Sequence, residues 1–262
     1  MALPRIARYR AADAEVFGRL DEDGLARLTG PPWEGGHEAG IRDALADVSL
    51  LPPSRPSKIV CVGLNYRAHV AESLSVAPGA AVPEEPVLFF KPPSALISHG
   101  DLIRYPPGVT RLDPEAELAV VIARRARRVR ADQALEYVAG LTCFNDVSAR
   151  NYQKQDGQWA RAKGFDTFAP VGPWIVPGLS PASLGVECRV NGEVRQRGNT
   201  SALLFSVPFL VSFISHVMTL EPGDVIATGT PAGIAPVQVG DEVEIEVEGI
   251  GVLRNRVAAA ES

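Results

Sequence analysis

The stretch PEAELAVVI, residues 114–122, constrains this chain more than any other. Beyond Glu117 it is an unbroken aliphatic run of strand length, rich in β-branched residues, as in a strand buried on both faces. Glu115 and Glu117 stand at its mouth, and side chains two apart on a strand share a face. Two carboxylates held side by side against an apolar wall repel each other, and burial penalises the charged form of each. A fold containing this strand must therefore bring a cation to it. For an isolated E-x-E pair, a solvated strand end is the commoner outcome, but the direct run into LAVVI favours burial.

A third carboxylate is available in Asp146, where the apolar segment LTCF runs into NDVSAR; a helix N-cap is the alternative use of that aspartate. Glu115, Glu117 and Asp146 form a hard, all-oxygen set that suits Mg²⁺ or Mn²⁺ better than zinc. Such a site leaves positions for water and substrate oxygens, which points to catalysis. His69 and Glu72 have H-x-x-E spacing, which puts both on one side of a helical turn. There the carboxylate would fix the imidazole tautomer and raise its basicity, as a water-activating base requires; the same spacing also describes an ordinary surface pair.

Lys163, in AKGFDTFAPVGPW, is placed to donate to a developing oxyanion, although a solvent-facing lysine is the more frequent case. Lys91 ends the aromatic strand LFFK and is a candidate for a substrate carboxylate. Gln153 shares a face with Asp146 if one helix spans both. In ATGTPAG, residues 227–233, Thr228, Thr230 and the backbone amides offer an anion site. The segment lacks the G-K-[ST] ending of a phosphate loop, which argues against a nucleotide.

The prolines of PPSRP suit neither a helix interior nor a central strand, so a boundary is expected there. It divides a small unit, residues 1–56, from a main domain, residues 57–262. KIVCVGLNY, VLFFKPPSAL, AELAVVIA and LTCFNDVSAR read as strands, and RAHVAES as helical. ADQALEYVAG reads as a helix with Gly140 as its stop signal. Asn191-Gly192 marks a hairpin with a tight primed turn, and SVPFLVSFISHVMTL has helical spacing. In DEVEIEVEG valine and isoleucine alternate with glutamate, the period of a strand wet on one face. The expected class is α+β, predominantly β.

A net charge of −5 gives no general attraction to nucleic acid or anionic membrane, and RRARRVR at 124–130 reads as a solvated turn. Cys61, Cys143 and Cys188, scattered through apolar runs, read as buried free thiols in a reducing compartment. MALPRIARYR lacks the apolar core of a signal peptide, and the longest apolar stretch is short and interrupted for a membrane span. A cytoplasmic location is expected.

In combination these segments resemble the fumarylacetoacetate hydrolase family. The resemblance runs in order from about residue 58 to 257, through CVGLNYRAHVAES, LFFKPPSAL, EAELAVVIA, FNDVSAR, KGFDTFAPVGPW, VGDEVEIEVEGIGVL and, most specifically, residues 190–233. It implies a mixed β-roll or sandwich with short helices behind a small N-terminal domain, usually as a homodimer. It also implies a divalent ion, Mg²⁺ or Mn²⁺, on Glu115, Glu117 and Asp146, with His69–Glu72 activating water and Lys163 stabilising an oxyanion. Gln153 and Thr230 fall where relatives contact substrate. Pro114 and Asn151 depart from common family patterns.

The expected substrate is a small 2-oxo or 2-hydroxy-dienoic dicarboxylic acid, handled through a metal-stabilised enolate. The leading expectations are 2-hydroxyhepta-2,4-diene-1,7-dioate isomerase and acylpyruvate (fumarylpyruvate-type) C–C hydrolase, with oxaloacetate decarboxylase next. A non-catalytic metabolite-binding relative is the rival from another class. Residues 73–85, within SLSVAPGAAVPEEP, are expected to form a lid over substrate.

Overall fold

The structure is a computed structural model that describes residues 3–12, 14–76 and 82–260. The centre of the expected lid, residues 77–81, lies outside the described residues. Five strands come first: β1 (Arg5–Ala11), β2 (Ala14–Asp21), β3 (Gly24–Leu28), β4 (Glu38–Asp43) and β5 (Ser49–Leu51). β6 (Ile59–Gly63) leads into helix α1 (Arg67–Val76), and β7 (Val87–Lys91), β8 (Leu96–Ile97), β9 (Leu102–Tyr105) and β10 (Leu112–Asp113) follow. β11 (Ala116–Ile122), β12 (Val138–Asn145) and β13 (Ser148–Ala149) precede helices α2 (Arg150–Asp156) and α3 (Ala160–Lys163). The remainder comprises β14 (Ala169–Val176), the hairpin β15 (Gly185–Val190) and β16 (Glu193–Asn199), and helix α4 (Val207–Val217). β17 (Val225–Ala227), β18 (Glu242–Val247) and β19 (Gly251–Ala259) complete the described elements.

A 12-stranded sheet runs in the order β4-β3-β2-β1-β14-β12-β11-β17-β6-β7, with β5 and β8 attached to β1 and β14. β1 joins β14 through Ile6↔Ile175, so the N-terminal strands continue the sheet that holds β11. A second, five-stranded sheet, β16-β15-β18-β19-β9, packs against it. This is the expected α+β class with the sheet dominant.

β11 is buried at every residue because both of its faces are covered. Leu118, Val120 and Ile122 join Val186, Cys188, Val243, Ile245 and Val247 of the second sheet in one core. Ala119 and Val121 meet Ile59, Cys61, Phe144 and Val171 in another. The parity that sends residues 119 and 121 to the second core sends Glu115 and Glu117 the same way.

The Asn191-Gly192 hairpin forms as expected, with positive φ of 52° and 82°, and Cys61, Cys143 and Cys188 are buried free thiols. Residues 131–137 differ from expectation: they form a 3₁₀ turn, and Gly140 lies inside β12. A Cβ on Gly140 would stand 2.7 Å from the carbonyl oxygen of Val176, so this glycine permits close strand approach rather than stopping a helix. No single helix links Asp146 to Gln153 either, because β13 intervenes and α2 starts at Arg150.

The glutamates of β18 face away from the core but are not simply wet. Arg189 pairs with Glu244 at 2.9 Å and Glu246 at 2.7 Å, and Arg254 pairs with Glu244 at 2.6 Å. Among the described residues no helix is long and apolar enough to cross a membrane.

Asp224 fastens the segment before β6 to the turn before β17. Its fully buried carboxylate accepts from Ser57 N at 2.9 Å, Ser57 Oγ at 2.8 Å, Lys58 N at 3.1 Å and Glu221 N at 2.7 Å, and it pairs with Lys58 Nζ at 2.5 Å. Removing it orphans several donors at once. Asp224→Ala is expected to cost about 3 kcal/mol or more, read as a lower urea midpoint with an unchanged slope; an unmoved midpoint would refute the fastening role.

Candidate active site

Antiparallel pairing of β11 with β12 assembles the acidic site. Ala116 lies opposite Asn145, which brings residue 146 alongside residue 115, and Asp146 N donates to Glu115 O at 2.9 Å. Carboxylates far apart in the chain thus converge through a strand register. One oxygen each from Glu115, Glu117 and Asp146 lie within 4.8 Å of one another, and all three residues are buried.

The cation demanded by the glutamate pair is Lys163, the last residue of α3. Its Nζ donates to Glu115 Oε2 at 2.7 Å and to Asp146 Oδ2 at 2.5 Å. Arg150, at the start of α2, adds a second charge: Nη2 donates to the other Glu115 oxygen, Nε to Asp113 Oδ2 at 2.9 Å, and Nη1 to Gln153 Oε1 at 2.9 Å. Arg150 was not singled out from sequence, although its place in the SAR segment directly after Asp146 was a usable signal.

The compensation is uneven. Burial alone would raise Glu115, but the charges of Arg150, Lys163 and His69 outweigh it and hold this carboxyl well below the usual range. Glu117 goes the other way: burial, reinforced by the Asp146 and Glu115 carboxylates, pushes it well above the usual range. Its counterweights are weaker, namely the Gly229 N–H at 2.8 Å and the more distant Lys163. Burial depresses Lys163, yet Asp146 and Glu115 more than reverse this and keep it protonated.

These features fit a divalent cation. Asp146 Oδ1 is buried and ion-paired with the Lys91 ammonium at 2.8 Å, which also serves three backbone carbonyls. The under-compensated Glu117, in a converging donor set made only of oxygen, suits Mg²⁺ or Mn²⁺. Glu115, Glu117 and Asp146 would hold the ion.

Lys91 departs from the role expected of it. It is 1% exposed, and Nζ donates to the carbonyls of Val147 at 2.9 Å, Lys163 at 2.7 Å and Phe168 at 2.8 Å. An ammonium has three N–H groups, so none remains for a substrate carboxylate; Lys91 braces the backbone around Asp146 and Lys163. Thr230 differs similarly: its hydroxyl donates to Ala116 O at 2.9 Å and accepts from Gln196 Nε2 at 2.8 Å. Gln153 is half-buried, and its Oε1 accepts from Arg150. Asn151, one of the family departures, staples a loop through Thr110 N and Gly108 O.

His69 and Glu72 pair on α1 as expected, with Nδ1 3.2 Å from Oε2. The Gly233 N–H, 3.2 Å from each Glu72 oxygen, anchors the carboxylate. Given a carboxylate acceptor at Nδ1, the proton belongs there and Nε2 carries the basic lone pair. On the far side of Lys163, the Phe89 ring lies 5.0 Å from Nζ and meets Trp159 edge-on, an aromatic wall that limits water.

Glu117→Gln, which keeps the shape and removes one charge, is expected to abolish tight Mn²⁺ binding in calorimetry while leaving the circular dichroism spectrum unchanged; retained Mn²⁺ affinity would exclude Glu117 as a ligand. Lys91→Met leaves carbonyls and a carboxylate oxygen buried without their cation, and is expected to lower stability by about 3 kcal/mol or more in a denaturant titration.

Residues 58–258 match the family model described as fumarylacetoacetate (FAA) hydrolase C-terminal, and residues 5–53 match one described as Rv2993c-like, N-terminal. An uncharacterized protein of Archaeoglobus fulgidus is 56% identical over 82% of this chain and 84% of its own length. Oxaloacetate tautomerase FAHD2A, mitochondrial, of Bos taurus is 44% identical over 79% of this chain and 68% of its own. Among solved structures, 5-carboxymethyl-2-hydroxymuconate delta-isomerase from Mycobacterium smegmatis superposes with a TM-score of 0.90 at 45% identity, covering 98% of this chain and all of that one. 2-Hydroxyhepta-2,4-diene-1,7-dioate isomerase from Mycobacterium marinum gives 0.90 at 42%, covering 99% of this chain and 100% of that one. Maleylpyruvate hydrolase from Sphingobium sp. SYK-6, in complex with manganese(II) and pyruvate, gives 0.79 at 30%, covering 98% and 100%.

Proposed function

The chain belongs to the fumarylacetoacetate hydrolase family, and from that premise we propose that it is a divalent-metal-dependent isomerase of small 2-oxo or 2-hydroxy-dienoic dicarboxylic acids. Three buried carboxylates converging around the Lys163 ammonium carry the reading. The likeness to two isomerases over essentially the whole chain, each with a TM-score of 0.90, supports isomerisation over hydrolysis. Keto–enol tautomerisation of oxaloacetate, suggested by the bovine relative, is the same chemistry on a shorter acid. A homodimer and Mg²⁺ or Mn²⁺ as the working ion belong to the same proposal.

A divalent ion held by Glu115, Glu117 and Asp146 would polarise a 2-oxo group and offset negative charge developing on its oxygen. The side chains account for the rest. His69 Nε2 takes a proton from the carbon next to the 2-oxo group, and Glu72, held by Gly233, stabilises the imidazolium through Nδ1. Lys163 spends two N–H groups on Glu115 and Asp146, which leaves a third that would donate to the developing enolate oxygen. His69 then returns the proton to a more distant carbon, which moves the double bond. Delivery of water to a distal carbonyl instead gives the hydrolase outcome, pyruvate and an acid. Loss of CO₂ gives decarboxylation.

A panel of a hydroxyhepta-diene-dioate, acylpyruvates and oxaloacetate, each with Mg²⁺, Mn²⁺ or chelator, separates these outcomes by product. A metal-dependent absorbance change of the dienoate without release of pyruvate or CO₂ is expected. Turnover undiminished by chelator would overturn the reading, and binding without turnover of any panel member would indicate a metabolite-binding relative. His69→Ala is expected to slow isomerisation by ~100-fold or more, the usual loss for a general base.

A further inference from the structure

Gln196 has no part in the scheme above, yet it is 1% exposed and every polar atom of its carboxamide is engaged. Oε1 accepts from Ala116 N at 2.8 Å, and Nε2 donates to Thr230 Oγ1 and to Pro231 O, both at 2.8 Å. Ala116 is the residue between the two glutamates of the acidic site, and Thr230 and Pro231 belong to the loop after β17. One side chain from the second sheet thus joins the carboxylate-bearing strand to that loop.

The geometry explains why something must stand there. β17 pairs with β11 only from Ala119 to Val121, and Thr228 extends the contact to Leu118 O through N at 3.0 Å and Oγ1 at 2.9 Å. Beyond it the loop turns away, and the N–H and C=O of Ala116 lose their strand neighbour. A buried backbone group without a partner is costly. Gln196 supplies the acceptor and Thr230 Oγ1 the donor, at 2.9 Å to Ala116 O, so two side chains act as the absent strand. The loop also sits directly on β16. A Cβ on Gly198 would be 2.6 Å from the Cβ of Pro231, and one on Gly233 would be 2.2 Å from Arg195 O.

We propose that Gln196 is a positioning residue that locks the Thr228–Gly233 loop in register with the Glu115–Glu117 pair. The same loop gives its Gly229 N–H to Glu117 and its Gly233 N–H to Glu72. Metal-ligand pair, base support and loop amides therefore share one reference point, the peptide of Ala116. Because the Thr230 hydroxyl is spent on this lock, the loop meets a ligand through its backbone. The consequence for ligand binding rests on the functional reading above; the lock itself does not.

The test uses the full-length protein saturated with Mn²⁺, with pyruvate as probe, in wild type, Gln196→Met and Gln196→Glu. Amide hydrogen exchange follows the loop, calorimetry gives the pyruvate Kd, and the melting temperature monitors folding. In Gln196→Met the loop amides are expected to exchange faster by on the order of 10-fold. Pyruvate is expected to bind weaker by on the order of 10-fold or more through misplaced contacts. Mn²⁺ affinity without pyruvate should change far less, because β12 still holds the carboxylates.

Gln196→Glu accepts from Ala116 but can donate to Thr230 or Pro231 only when protonated, so its pyruvate affinity relative to wild type should recover as pH falls. A merely structural glutamine would lower the melting temperature without that pH signature. Unchanged loop exchange and pyruvate affinity in a folded Gln196→Met would overturn the proposal. Should that variant not fold, a Gln196→Glu to wild-type ratio that is flat with pH would overturn it. If wild type binds neither Mn²⁺ nor pyruvate, the functional reading fails, and the loop exchange alone judges Gln196.

Discussion

The Lys163 ammonium between Glu115 and Asp146 is the interaction on which the rest depends. Three carboxylates cannot be buried side by side without positive charge, because desolvation and mutual repulsion act in the same direction. Buried ion pairs are poor sources of stability, since desolvation offsets most of the attraction. An assembly with Lys163, Arg150 and Lys91 around three buried acids and Asp113 is therefore not explained by folding. The imbalance inside it is informative. Glu115 is held by two cations, whereas Glu117 has one backbone N–H and the repulsion of its neighbours. A deficit of positive charge placed there marks where a metal ion would be bound most strongly.

Much of this was legible in the sequence because local patterns carried it. The aliphatic run fixed β11, Asn191-Gly192 fixed a hairpin, and the two-residue spacing of Glu115 and Glu117 put both on one face. Asp146 was found because an apolar strand runs into it. The errors share a cause: they concern depth and partners, which neighbours in sequence do not encode. Lys91 and Lys163 both close short elements beside turn-rich loops, yet one braces three carbonyls behind Asp146 and the other bridges Glu115 and Asp146. Residues 131–137 have helical composition, but the following Val138–Asn145 is claimed by β11 on one side and β14 on the other. Arg150 and Gln196 were missed because each matters only through a contact distant in the chain.

The site is built from strand register more than from loops. Ala116↔Asn145 pairing aligns the acids, and the hydrogen bond from Asp146 N to Glu115 O fixes the spacing of two of them through the main chain. A β-sheet resists sliding because a one-residue slip would invert every side chain on β11, driving Leu118 and Val120 out of one core and Ala119 out of the other. Acid geometry is therefore as rigid as the sheet. The cations arrive from helices and strand ends, α2, α3 and β7, which can adjust their side chains to a fixed frame.

That division bears on how one framework can serve isomerisation, tautomerisation or hydrolysis. All three need charge stabilised on the same oxygen, and in the proposed reaction the rigid part of the site would provide it. They differ in the fate of the proton, and His69, the base of the proposed reaction, sits on α1, outside the sheet. Its orientation depends on Glu72, Glu72 on the Gly233 N–H, and Gly233 on a loop seated against β16 and tied to Ala116. His69 is thus referenced to the same peptide as the acids, but through more links, each able to shift slightly. Small changes along α1 and this loop can redirect a proton or admit a water without disturbing the acid cluster. Specificity of outcome is accordingly expected to reside in those links, where the backbone is least constrained by the sheet.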